Sequence, residues 1–182
     1  MKKLIKMFGA VAIIASMAFS MAGCSITDVK DAGDTIMTAV FELEADDITD
    51  DYFNEDGKHS GEQKEIFEGI VKAFDKEFAL EFEDVKPTAK SINIKNDDAT
   101  VLYTIAIGDE VYEFELNLVK DDDEWVIADN KDFSVAVTEL FLTILEDQGS
   151  KSQKAAIEAI KEETGISKTN KLATAIFEEY ES

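Results

Sequence analysis

The 182-residue chain has no arginine: all 18 of its basic residues are lysines, set against 40 aspartates and glutamates. Cysteine, proline, histidine and tryptophan occur once each. Each scarcity excludes something. Without arginine there is no side chain suited to gripping carboxylate or phosphate in a planar, two-pronged fashion. A formal charge of −22 speaks against nucleic acid, whose phosphates must be neutralised by cations. It speaks equally against anionic headgroups or wall polymers as direct ligands. A lone thiol cannot form an internal disulfide, so a folded domain must rely on its apolar core. No phosphate-binding loop, dinucleotide fingerprint, nucleophile elbow or zinc pattern occurs. No cofactor and no metal site is expected.

What is present starts with an unusual opening. Lys2, Lys3 and Lys6 form a basic start, and Met7 to Ser20 follow without a charge. Met21, Ala22 and Gly23 then lead to the only cysteine, Cys24. This is the three-part layout of a secretory signal. Met7 to Gly23, interrupted by Ser16 and Ser20, is shorter than the roughly 20 apolar residues of a membrane span. The segment Met21-Ala22-Gly23-Cys24 resembles a bacterial lipobox, with methionine in place of the more usual leucine. The resemblance covers residues 1–24 and implies a lipoprotein signal peptide over 1–23. It further implies an acylated Cys24 as mature N-terminus, with palmitate-type chains anchoring the protein in membrane lipid on the extracytoplasmic face. Two acyl chains hold a protein where one is marginal. Loss of the three leader lysines takes the formal charge from −22 to −25. Lysine and isoleucine in the absence of arginine accord with an AT-rich, Gram-positive source.

Residues 24–27 make a short tether, and 28–182 read as one α+β domain with a helical C-terminal extension over about 131–182. Asp28 is a candidate N-cap for a helix whose apolar face runs Val29, Ala32, Ile36, Val40 and Leu43. Gly33 weakens that helix. Ile48, Tyr52 and Phe53 mark a short helical turn in an acidic connection. A second long helix over 62–80 carries Ile66, Ile70, Phe74 and Phe78, and Pro87 closes off helix beyond it. From Ala89 the period drops to two. Strands are expected over 91–94, 100–107, 110–119 and 124–129, joined by turns too short for parallel crossovers. Helical spacing returns after Asp132 with Phe133, Val137, Leu140, Phe141, Ile144 and Leu145, and Gly149 suits a left-handed helix end. Helices over 151–164 and 167–180 follow. The expected architecture is N-terminal helices packed on a curved four-stranded antiparallel meander, followed by C-terminal helices.

That element order, with "DDDEW" leading Trp125 into the last strand, resembles the nuclear-transport-factor-2-like (cystatin-like α+β cone) superfamily over roughly residues 30–130. The resemblance implies a cone that can enclose a small apolar ligand. Members of that fold include isomerases and dehydratases with an acid or histidine inside the cone.

Each candidate site has a plainer role beside it. Phe74, Phe78, Tyr103, Tyr112, Phe114 and Trp125 either line a ligand pocket between helix and sheet or fill the core. The acidic clusters invite calcium, a cation that takes six to eight oxygens. An EF-hand loop with Gly57 at its sixth position nevertheless fails, because Tyr52 and Gln63 then occupy positions that need Asp and Glu. His59 lies in a polar loop with Asp56 and Ser60 nearby but no triad spacing. The stripe Leu172, Ile176 and Tyr180 either docks a protein partner or packs on its own domain. No residue is nominated as catalytic. The leading expectation is a non-enzymatic, lipid-anchored binding or interaction module. Its alternatives are a small-molecule enzyme with an apolar cone-shaped pocket and a calcium-binding surface lipoprotein.

Overall fold

The computed structural model describes residues 25–55, 60–78, 82 and 85–181. Cys24, the leader before it and His59 lie outside the described residues. Helices α1 (Ser25–Glu42), α2 (Ala45–Asp51) and α3 (Ser60–Lys76) come first. Strands β1 (Thr88–Lys95), β2 (Asp98–Ile107), β3 (Glu110–Asp121) and β4 (Glu124–Ile127) follow, then helices α4 (Asn130–Gln148), α5 (Lys151–Thr164) and α6 (Thr169–Tyr180). The protein is α+β, and its strands form one antiparallel meander in the order β1-β2-β3-β4.

The period-two alternation decides which face of the sheet is buried. Val101 stands opposite Leu116, Tyr103 opposite Phe114 and Ile105 opposite Tyr112. All six point inward and are buried. Glu113, Glu115 and Asn117, between them, face outward on β3. The tight turns use backbone that favours short polar residues or glycine: Asn96, Gly108, Asp122 and Asp123 all have positive φ. Two consecutive positive-φ residues at Asp122 and Asp123 match the twist of a two-residue hairpin.

Helix α4 is the centre of the molecule. Asp129 caps its start by accepting from the Asp132 amide at 2.9 Å. From Val137 to Leu145 every residue is buried, although the sequence pattern marks only one apolar face. The sheet and α3 cover one side while α5 and α6 cover the other, so Leu142 is as deeply buried as Leu140. Thr138 and Thr143 satisfy their hydroxyls on the carbonyls four residues back, Ser134 at 2.7 Å and Glu139 at 2.8 Å. Ile157, Leu172, Ala173 and Phe177 join the same continuous core as the sheet.

Several boundaries differ from the sequence pattern for physical reasons. Helix is already formed at Ser25, so Asp28 sits in the first turn of α1, where its charge favours the helix dipole instead of capping it. Helix α3 ends at Lys76, and β1 starts at Thr88, directly after Pro87. Gly149 is extended (φ −57°, ψ 153°) and not left-handed. Glycine fits there because a Cβ would collide with the Leu145 carbonyl oxygen, the atom that accepts the Gly149 amide at 2.9 Å. The glycine that ends a helix in the left-handed conformation is Gly165, φ 68°, after α5.

Candidate functional site

Two surface depressions of about 310 Å³ and about 420 Å³ share Thr35, Asp51 and Tyr52 and together form one groove along α1. Its wall on the α1 side follows helical spacing, with Asp28, Asp31, Asp34, Thr35, Thr38 and Glu42 turned away from the core stripe of Val29, Ile36 and Val40. Leu43 then takes a positive φ of 58°, and the Glu44 amide closes the helix end on the Ala39 carbonyl at 3.0 Å. This reverses the chain and brings α2 alongside α1.

The opposite wall is fastened from several sides. Thr49 of α2 donates to Glu68 of α3 at 2.9 Å, and Lys64 of α3 pairs with Asp50 at 3.1 Å. The Ile127 amide of β4 donates to the Tyr52 carbonyl at 2.8 Å. Asn130, buried at the start of α4, accepts from the Asn54 amide at 3.0 Å and donates to its carbonyl at 2.9 Å. These ties hold Asp47 and Asp51 across from α1. The β3–β4 turn adds Asp123 and Glu124 at one end, with the nearly buried Trp125 beneath.

Among the described residues each half of the groove carries five carboxylates, Asp51 being common to both, and no lysine lines either half. Like charges crowd at one end. The Glu42 carboxylate, then burial, then Asp47 raise the Glu44 carboxyl above its ordinary range. Among the described residues lysines touch only the rim: Lys30 pairs with Asp34, and Lys120 pairs with Asp123 at 2.8 Å, holding that carboxyl low. Among the described residues no three of the acids converge as a metal ion requires. The charge is strung along a furrow, which suits a ligand with several spaced cationic groups.

Among the described residues, Asp34 is the groove carboxylate that the sheet holds from below. The hydroxyl of Tyr103 reaches out of the sheet and donates to its Oδ1 at 2.9 Å. Burial, followed by the bond and charge of Asp34, pushes the Tyr103 phenol far above its ordinary value. Gly33 makes this contact sterically feasible, because a Cβ there would lie 2.5 Å from the Tyr103 oxygen.

Of the aromatic residues nominated from the sequence, Trp125 lines the groove and the other five line neither half. Phe74 and Phe78 contact each other at 5.5 Å, and Phe74 also meets Phe141 at 5.2 Å. Phe114 packs edge-on against Phe133 at 6.2 Å. The Tyr112 hydroxyl accepts from Gln148 at 3.1 Å, and burial raises its phenol. In α6, Leu172 is buried, Ile176 half-buried and Tyr180 exposed, with the Tyr180 ring over Gly69 of α3.

Glu139 escaped the sequence reading although it interrupts the apolar run of α4. It is 8% exposed, among the described residues no hydrogen bond reaches its carboxylate, and burial raises its pKa. It lines neither half of the groove. A raised folded-state pKa means that the native protein holds this proton more tightly than the unfolded chain does. The associated stability is present below the unfolded pKa of about 4.3 and is lost as pH climbs through the folded value. Glu139→Gln is therefore expected to raise the melting temperature at pH 7. At pH 3.5, where both states of the wild type are protonated, the two proteins should melt together. An equal gain at both pH values would show that charge is not the cause.

No helix among the described residues is long and apolar enough to cross a membrane. Compared with models of known families, with curated proteins and with solved structures, the chain matches none.

Proposed function

We propose that the protein is a non-enzymatic binding module, lipid-anchored through Cys24 on the extracytoplasmic face of the cell membrane, whose acidic groove takes a cationic ligand such as a lysine- or arginine-rich peptide segment. The observation that carries the reading is the groove beside α1, acidic along its length and, among the described residues, without a lysine in its lining. Its position supports the anchored part. Asp28 and Asp31 lie three and six residues into α1 from Ser25, the residue after Cys24, which at 1.5 Å per helical residue is about 5–9 Å along the axis. Once anchored, the groove opens close to the bilayer, where cationic peptides accumulate on anionic lipid. Helices followed by a four-stranded meander are the part of the fold that resembles the nuclear-transport-factor-2-like cones, and the helices after Asn130 are an addition to that pattern.

The test uses vesicle-bound protein and fluorescent hexalysine. Binding should weaken with salt and fall about tenfold for Asp31→Asn/Asp51→Asn. The control pair Asp97→Asn/Asp98→Asn removes the same charge outside the groove and should leave affinity nearly unchanged. Equal losses from both pairs would mean diffuse attraction to an acidic surface and would remove the groove from the proposal. Cys24→Ala should abolish incorporation of labelled palmitate; retained label would overturn the anchor.

A further inference from the structure

We infer that β1 is a docking edge for an extended acidic segment of a partner protein, which joins the sheet as a fifth strand. The two ends of the sheet differ. At one end, β4 has four residues and its Ile127 amide is already taken by the Tyr52 carbonyl. At the other end, β1 runs for eight residues, about 27 Å of strand. Among the described residues no backbone group hydrogen-bonds its outer edge.

The core also ends early beneath it. Ala89, Ile92 and Ile94 pair with Tyr103, Val101 and Ala99 of β2. The β2 residues are buried, whereas their β1 partners are only partly covered. A further strand would finish that burial and satisfy the open backbone groups together, which is how strand addition gains affinity.

Charge selects the occupant. From Val85 to Lys95 the chain carries Lys86, Lys90 and Lys95 and no carboxylate, in a protein whose acids outnumber its lysines by 40 to 18. Lys90 is engaged by Glu113 at 2.7 Å, leaving Lys86 and Lys95 to face an incoming strand. A second copy pairing β1 with β1 would set lysines against lysines. Edge lysines, and the register shift between Ala89 and Ser91, are devices that block such self-pairing. The same lysines attract glutamates or aspartates alternating along a foreign strand, so one feature repels the wrong partner and draws the right one. Asp97 in the following turn and Asp98, the first residue of β2 and opposite Lys95, limit the favourable register at one end, as Glu83 and Asp84 before Val85 do at the other. At about 0.15 M salt, screening over roughly 8 Å weakens the repulsion from carboxylates farther off than these.

The probe is a labelled decapeptide alternating glutamate and valine, compared with its lysine–valine counterpart, on the full acylated protein. Expected are binding of the acidic peptide alone and slowed amide exchange over residues 88–95. A loss of about tenfold or more is expected for Lys86→Glu/Lys95→Glu, two exposed sites whose exchange leaves the core intact. Absence of binding, equal binding of both peptides, or protection appearing at the groove instead of β1 would overturn the proposal. So would peptide-free dimerisation in sedimentation that protects β1, since the edge would then belong to a second copy. Hexalysine binding at the groove can persist in each of these cases, which separates this failure from that of the groove itself.

Discussion

Phe141→Ala is expected to cost about 3–5 kcal/mol, the range for removing a buried aromatic ring. Phe141 is fully buried at the midpoint of α4, the helix covered on all sides. Its ring meets Phe74 at 5.2 Å, Phe82 at 5.5 Å and Phe41 at 6.5 Å, so it joins α1, α3, the segment before β1 and α4 in one contact. Collapse around the vacated volume is hindered because the neighbours are themselves stiff rings. With no disulfide in reserve, a loss of that size is a large share of the roughly 5–15 kcal/mol that holds a domain folded. Urea denaturation should show a much lower midpoint with an unchanged slope. Val111→Ser, at an exposed position on the β2–β3 hairpin, should stay within about 0.5 kcal/mol. If Phe141→Ala cost no more than that surface change, α4 could not be the helix on which the core is assembled.

How much of this was legible in the sequence depends on the distance over which each feature is made. The alternation in β2 and β3 and the four-residue repeat of Ile66, Ile70 and Phe74 are local, and they gave the strands and α3 to within a few residues. The complete burial of α4 was not local. Phe133, Val137, Leu140, Phe141 and Ile144 mark one face, but Leu142 and Thr143 are buried only because α5 and α6 fold back over them. The groove was hidden for the same reason. Asp28 and Asp31 on α1, Asp51 on α2 and Asp123 after β3 each look like ordinary solvated acids in their own segments. Only the ties through Thr49, Tyr52 and Asn130 bring them to one furrow. Glu139 could have been found, since a lone charge within "VTELFLTIL" contradicts the surrounding pattern.

Gly33 looks like a flaw in α1, and the structure turns it into a requirement. Gly33→Ala should lower stability by about 1–3 kcal/mol, although alanine is normally worth about 1 kcal/mol more than glycine inside a helix. The Cβ would lie 2.5 Å from the Tyr103 hydroxyl oxygen, and that ring is fully buried and cannot swing aside. Tyr103→Phe removes the obstacle along with the bond to Asp34, at a cost of about 1–2 kcal/mol. In that background the new Cβ faces the ring carbon at 3.5 Å, an ordinary contact, so Gly33→Ala should become stabilising by up to about 1 kcal/mol. The sign of one substitution thus reverses on deletion of one oxygen 70 residues away, and a double-mutant cycle reads the coupling directly. Alkaline pH supplies a second readout. The buried phenol resists ionisation, so its contribution is intact below about pH 10 and is lost as pH rises towards the folded value. Tyr103→Phe should lessen that alkaline loss, with Tyr112 accounting for part of what remains. Equal destabilisation by Gly33→Ala in both backgrounds would place the obstacle elsewhere than the hydroxyl. Asp34 would then lose its support from the sheet as the reason for a glycine at this point of the groove wall.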